Sequence, residues 1–348
     1  MTLRSIVRFS FSGLCAAGLL CAVSPAALAQ TKPATKAAPK TATATKPSTR
    51  TSVARARAAA RARAAAAARQ QREAASPKFK RDALGNLIPD VRAAAAIVFN
   101  PKTGEVLWEE NSHETRSIAS LTKIMTAVTF IADEPDLKTK VLVTRDDTRA
   151  ASTTHLKTGD EVSLDDLLHL TLIASDNAAA RALARTSEGG TAAFVSRMND
   201  TAKELGLADT HYFDPSGLFD TNVSSAYDIS HLIAFAGTDP RLSAIMRTSE
   251  YVVQATKRQI PIHSTNKLLA TDMDVIGGKT GFIRKAGYCL ATLLQVPQGS
   301  QVAVVVLGAA NSATRFWEAR HLFNWVVGKG SGIIGDDDGR VAPGTIIR

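Results

Sequence analysis

Cysteine is scarce, with three in 348 residues, and two of them, Cys15 and Cys21, lie in the opening apolar run. With a leader removed only Cys289 is left, so no internal disulfide can form and the core must hold itself by packing. That opening run, Phe9 to Val23, is broken only by Ser and Gly and is short for a membrane span. The seven histidines show no H-x-x-E-H or comparable spacing, and no phosphate-binding glycine loop precedes a helix. Neither a metal nor a cofactor is expected. Acidic residues are nearly missing from the front: residues 1–92 carry three, against 17 Lys and Arg, a net +14. The remaining 256 residues carry 29 against 25, a net −4. The overall +10 therefore belongs to the front of the chain and is no argument for a nucleic-acid partner.

What is present divides the chain. Arg4 and Arg8, the apolar run and Ala27-Leu28-Ala29 before Gln30 read as a signal peptide over 1–29, so export is expected. Residues 30–90 read as a basic linker of Ala, Lys, Arg and Pro. Thr31 to Arg50 has spaced prolines and should be an extended tether. Val53 to Ala75 is Ala-rich and should be helical, with Arg55, Arg57, Arg61, Arg63, Arg69 and Arg72 falling all round it. Such a helix has no apolar face, which suits a solvated spacer. The other reading is weak attraction to anionic lipid or cell-wall polymer.

Ordered structure is expected from near Val91. Ala93 to Phe99 and Glu105 to Glu109 form a hairpin around Asn100-Pro101-Lys102-Thr103-Gly104. Ser120 to Ala132 is helical, with Leu121, Ile124, Met125 and Val128 as its stripe, and Ser163 to Glu188 is a second helical region. Three strands follow: Val275 to Ile283, Gly287 to Gln295 and Gln301 to Leu307. Ala313 to Val327 is an amphipathic helix, and 331–348 a loose tail. Two early and three late strands suggest one five-stranded antiparallel sheet flanked by helices. An all-helical subdomain would lie between them in sequence, with a cleft where the two meet.

Three motifs stand in order: Ser120-Leu121-Thr122-Lys123, Ser175-Asp176-Asn177 and Lys279-Thr280-Gly281. None is sufficient alone. S-x-x-K arises by chance roughly once in a chain this long, and a second stands at Ser264-Thr265-Asn266-Lys267. Two more K-T-G triplets, at 102–104 and 157–159, fall in expected turns. Spacing selects the first set, because Ser264 precedes Lys279 by only 15 residues. Ser120 and Lys123, three apart at a helix start, share a face. A serine hydroxyl needs an adjacent base. Lys123 can be that base when neutral, a state that burial and the nearby cation Lys279 would favour. Ser175 can relay a proton and Asn177 can bond a peptide substrate. Helix capping is the plainer reading of both. Lys279 and Thr280, with Gly281 admitting close approach, can hold a carboxylate by charge and hydroxyl.

The same residues resemble the low-molecular-weight serine penicillin-binding proteins, the D-alanyl-D-alanine carboxypeptidases and endopeptidases. The likeness extends to Asp214-Pro215-Ser216-Gly217-Leu218 and Gly278 to Leu290, and spans about Val91 to Gly328. It implies an α/β (α+β), β-lactamase/transpeptidase-like catalytic domain over 91–330 in an enzyme of the bacterial periplasm. It implies peptidoglycan stem peptides as substrates and β-lactams as covalent inhibitors. The oxyanion donors would be the backbone N–H groups of Ser120 and Phe282. Relatives often have Thr where this chain has Ile283, and S-G-N-D where it has Ser175-Asp176-Asn177-Ala178, which leans toward the endopeptidase branch. Only 67 residues follow Gly281, too few for the further β-rich domain of tethered carboxypeptidases. Endopeptidase action on D-Ala–diaminopimelate cross-links is therefore expected, with carboxypeptidase action as the alternative. A class A β-lactamase would need an E-x-x-L-N after Asn177, but Glu204-Leu205-Gly206-Leu207-Ala208 lacks the asparagine. A non-catalytic wall-binding protein would not need the intact Ser120, Lys123, Ser175 and Lys279 set.

Overall fold

The computed structural model describes residues 49–297 and 299–333. The expected leader, the tether up to residue 48 and the expected tail from residue 334 on lie outside the described residues, whereas residues 331–333 of that tail end the last helix instead. The arginine-rich segment forms one helix, α1 (Thr49–Ala75), with its side chains exposed from Val53 to Ala66. Alanine propensity alone accounts for it, because nothing in its sequence offers an apolar face.

Ordered structure starts before Val91. A short hairpin, β1 (Phe79–Arg81) and β2 (Leu87–Pro89), occupies what reads as linker. Its sequence is too polar to show a strand period, and long-range contacts hold it. Lys80 pairs with Glu110 at 2.6 Å, Nε2 of His321 donates to the Lys78 carbonyl at 2.8 Å, and Ile88 packs on the core.

The expected hairpin follows as β3 (Ala95–Asn100) and β4 (Glu105–Glu110), and the first K-T-G lies in its turn. After β5 (Arg116–Ser117) come α2 (Thr122–Ala132), β6 (Lys140–Leu142), α3 (Arg145–Thr148), β7 (Glu161–Ser163) and α4 (Leu164–Leu172). Then come α5 (Asn177–Thr186), α6 (Gly190–Glu204), β8 (Val223–Ser224), α7 (Ala226–Thr238) and α8 (Pro240–Met246). A hairpin of β9 (Glu250–Ala255) and β10 (Arg258–His263) precedes β11 (Val275–Ile283), β12 (Gly287–Gln295), β13 (Gln301–Ala309) and α9 (Thr314–Ile333).

The central sheet is five-stranded and antiparallel, in the order β11-β12-β13-β3-β4. Its inner strands read as near-continuous apolar runs because both faces are covered. Ala95, Ile97, Phe99, Ala303, Val305 and Leu307 face the helical side. Ala96, Val98, Val302, Val304 and Val306 face the other way, onto Phe316, Ala319, Leu322 and Phe323 of α9. Because β11 is an edge strand, its outer backbone edge is open to the elements carrying Ser120 and Ser175. No helix among the described residues is long and apolar enough to cross a membrane.

Candidate active site

The helix expected from Ser120 begins slightly later. Ala119–Leu121 is a 3-10 turn and α2 starts at Thr122. Ala119 enters this turn at φ +50°, a left-handed conformation that costs a non-glycine residue about 1–3 kcal/mol. Two elements brace it. The Thr122 hydroxyl donates to the Ala119 carbonyl at 2.8 Å. From the other side Gly217, at φ +75°, lies so close that a Cβ there would stand 2.1 Å from the same carbonyl oxygen.

Lys123 has no exposed surface. Its Nζ lies 2.6 Å from Oδ1 of Asn177, 2.5 Å from the Ser216 carbonyl and 3.0 Å from Oγ of Ser120. The first two partners only accept hydrogen bonds. A neutral amine has two N–H groups to satisfy them, which turns its lone pair toward the serine hydroxyl. Burial lowers the Lys123 pKa to about 7, with Asp214 and Asp176 opposing and Arg181 assisting. Arg181 is a cation on Lys123 that the motifs did not point to, and because repulsion between two amines is mutual, the expected effect of Lys279 stands beside it. Lys279 is itself pushed well below its ordinary value, by burial first and then by Lys123 and Arg315.

The second helical region is not continuous. It breaks between Leu172 and Asn177, and Ser175 occupies the break at φ +59°. The capping role falls to Asp176, whose Oδ1 accepts from the Ala179 N–H at 3.0 Å, and not to Ser175 or Asn177. Ser175 is thereby left facing the cleft, where its Oγ accepts from Nζ of Lys279 at 2.7 Å. Asn177 is buried and already engaged: Oδ1 accepts from Lys123, and Nδ2 donates to the Ala151 carbonyl at 2.6 Å. Its immediate work here is to hold the amine, and its carbonyl oxygen retains one further lone pair.

Lys279, Thr280 and Gly281 lie on β11 at the sheet edge. A Cβ on Gly281 would stand 2.9 Å from the Ile118 carbonyl and 3.2 Å from the Ser120 nitrogen, so glycine lets the strand lie against the serine turn. Phe282 next to it is half exposed, with its ring stacked on Tyr288 at 4.2 Å. The fold thus brings together Ser120, Lys123, Ser175, Asn177, Lys279, Thr280, Gly281 and Phe282.

The spare motifs separate from this set, with one exception. Lys157-Thr158-Gly159 is an exposed turn with Gly159 at φ +92°. In the second S-x-x-K, Asn266 caps a 3-10 turn over Lys267–Ala270. Thr265, however, accepts from the Thr280 hydroxyl at 2.7 Å and so touches the site. Sequence reading passed over Thr265, the Ser216 carbonyl and Arg181. An unremarkable threonine, a backbone oxygen and a helix arginine carry no local signal. The Asp214 to Leu218 stretch was the only pointer toward Ser216.

With this geometry established, comparison with known proteins is specific. The family model described as D-alanyl-D-alanine carboxypeptidase matches residues 82–311. A D-alanyl-D-alanine endopeptidase of Escherichia coli is 32% identical over 243 residues, covering 68% of this chain and 78% of that protein. A D-alanyl-D-alanine carboxypeptidase of the same organism is 36% identical over 256 residues, covering 68% of this chain and 62% of the other. The crystal structure of a Streptomyces DD-transpeptidase is similar with a TM-score of 0.65 at 28% identity, covering 68% of this chain and 97% of that one. Fold, motif order and these likenesses agree that the chain belongs to the D-alanyl-D-alanine carboxypeptidase family of serine peptidases.

Proposed function

We propose that this serine D,D-peptidase is an exported endopeptidase that cuts D-Ala–diaminopimelate cross-links of peptidoglycan through an acyl-enzyme on Ser120. The observation that carries the serine mechanism is the Lys123 amine, whose N–H groups are taken by Asn177 and Ser216 and whose lone pair is left for the Ser120 hydroxyl. Ser120 Oγ attacks the D-alanyl carbonyl and its proton passes to Lys123. The N–H groups of Ser120 and Phe282 hold the oxyanion. On collapse the leaving amine takes a proton through Ser175. That hydroxyl is suited to the task, because the Lys279 N–H already occupies one of its lone pairs and its own hydrogen can turn into the cleft. Water then releases the acyl group by the same route in reverse. Lys279 and Thr280 bind the carboxylate on the carbon next to the leaving nitrogen. A bound carboxylate restores the Lys279 positive charge that burial disfavours.

Terminal D-alanine and the diaminopimelate centre both present that carboxylate, so this part of the site accepts either. The endopeptidase reading is supported by relatives named D-alanyl-D-alanine endopeptidase in three organisms, matched over 78% of their length. The leader-like start supports export to the periplasm. Given a pentapeptide monomer and a cross-linked muropeptide dimer, the purified protein is expected to convert dimer to monomers faster than it releases free D-alanine. Release of D-alanine with the dimer untouched would establish the carboxypeptidase instead.

The amine also sets a pH profile. A base must be neutral, so the acylation rate should rise with pH through about 7 and then level off. Below that point it should fall about tenfold per pH unit. Stopped-flow acylation by a chromogenic cephalosporin tests this. A flat profile between about pH 5 and 9 would remove Lys123 from the role of base.

A further inference from the structure

Arg315 is a buried cation that the mechanism above leaves without a task. It lies near the start of α9, only 7% exposed. Among the described residues no carboxylate stands within ion-pair distance of it, and its surroundings are the rings of Tyr288 and Phe316, at 5.5 and 4.9 Å. Burying an unpaired guanidinium is costly, so its hydrogen bonds must compensate. One nitrogen, Nη1, donates to the Gly281 carbonyl at 3.0 Å and to the Cys289 carbonyl at 3.2 Å, and Nη2 donates to Oγ of Ser312 at 3.3 Å.

The Gly281 carbonyl is one end of a peptide group whose other end is the Phe282 N–H. Gly281 and Cys289 are cross-strand partners on β11 and β12. A single nitrogen reaching both carbonyls places the Gly281 oxygen between the two strands. In a trans peptide the N–H points the opposite way. The Phe282 N–H is therefore directed to the open edge of β11, the side on which the Ser120 turn packs.

We propose that Arg315 is a positioning residue for the oxyanion site, gripping the carbonyl of the Gly281–Phe282 peptide so that its N–H is fixed in direction and strengthened as a donor. This rests on the reading of Phe282 as an oxyanion donor given above. The physical basis is twofold. A charge-assisted bond to the carbonyl fixes the peptide plane, and it polarises the amide, since hydrogen bonds in a chain strengthen one another. Arg315 also adds positive potential beside the place where negative charge develops, and it does so without contacting substrate. A plain staple between β11 and β12 would make the same hydrogen bonds but would not act on the acyl carbonyl, and this separates the two roles.

The test uses Arg315→Gln and Arg315→Lys in the full-length protein, acylated by a penicillin carrying a 13C-labelled β-lactam carbonyl. Isotope-difference infrared spectra read the ester carbonyl of the acyl-enzyme, whose stretch falls as the oxyanion donors pull harder. Arg315→Gln is expected to raise that wavenumber and lower the acylation rate constant by about 10- to 100-fold, less than or near the loss of one direct donor. The dissociation constant of the preceding non-covalent complex should change by less than about threefold. Arg315→Lys, which keeps the charge but not the two-nitrogen reach, should fall between. If Arg315→Gln does not fold, as judged by circular dichroism, Arg315→Lys decides alone. An unchanged ester wavenumber in a folded variant overturns the proposal, whatever happens to thermal stability. A wild-type protein that forms no acyl-enzyme overturns the Ser120 mechanism and this inference together. An acyl-enzyme indifferent to Arg315 removes only the inference.

Discussion

Ser120→Ala protein is expected to take no covalent label from fluorescent penicillin and to lose D,D-peptidase turnover by about 10³-fold or more, the scale of losing a nucleophile that acts in concert with its base. The fold should survive. Ser120 is only partly buried, and the change deletes one side-chain hydrogen bond, the 3.0 Å contact with Lys123. A net loss of about 1 kcal/mol is expected for such a bond. The midpoint of thermal unfolding should therefore move by only a few degrees, about 2–4 °C for a domain of this size. Gel fluorescence after penicillin treatment, alongside a melting curve, separates chemistry from folding. Label that persists at wild-type intensity on folded Ser120→Ala protein would move the nucleophile elsewhere. Ser264, heading the second S-x-x-K, would be the first place to look.

The second large effect is structural in origin. Asp214 accepts hydrogen bonds from Ser216 N, Ser216 Oγ, Gly217 N, Phe219 N and Asn222 Nδ2. Burial pushes its carboxyl up, but the bonds from Ser216, Phe219 and Asn222 outweigh that and hold it below the ordinary value. This one carboxylate folds the loop that puts the Ser216 carbonyl on Lys123 and Gly217 under Ala119. Asp214→Ala leaves several buried donors unmatched at about 1–3 kcal/mol each, reduced where water reaches them. A total loss of about 3–5 kcal/mol is expected, together with most of the acylation rate. Chemical denaturation and penicillin labelling measure the two. The sign with pH follows from the lowered pKa. The stabilisation is present above the unfolded carboxylate value of about 3.9 and is lost as pH falls from there through the folded value. The wild type should thus lose stability in that acid window, and Asp214→Ala should show less of this loss. A variant with wild-type stability and labelling would show that the loop holds its shape without the carboxylate.

Much of the site could be read from sequence, for a physical reason. Ser120 and Lys123 are three residues apart, and any helical turn brings such neighbours together. Leu121, Ile124 and Val128 declared that turn by their period. The inner strands were equally plain, because a strand covered on both faces must be apolar throughout, as β13 is. Less regular segments were not legible. The β1–β2 hairpin is polar and is held by Lys80, Lys78 and Ile88 reaching distant partners. The break at Ser175 hid inside an Ala- and Leu-rich stretch whose composition favours an uninterrupted helix. Its left-handed φ falls on a serine, with no glycine to signal it. Thr265 looked like part of a spare motif, and only the approach of Thr280 gives it a place.

By itself the sequence determined which residue types lie at which spacing: a serine with a lysine one turn on, strands that are apolar throughout, and a basic front of opposite charge to the rest. Those properties are local and need only backbone geometry. Tertiary structure alone decided which groups occupy the Lys123 amine, and that burial lowers its pKa to about 7. Each of these depends on desolvation and on hydrogen bonds between segments far apart in the chain. Neither exists until the sheet edge, the broken helix and the Asp214 loop have closed on one another.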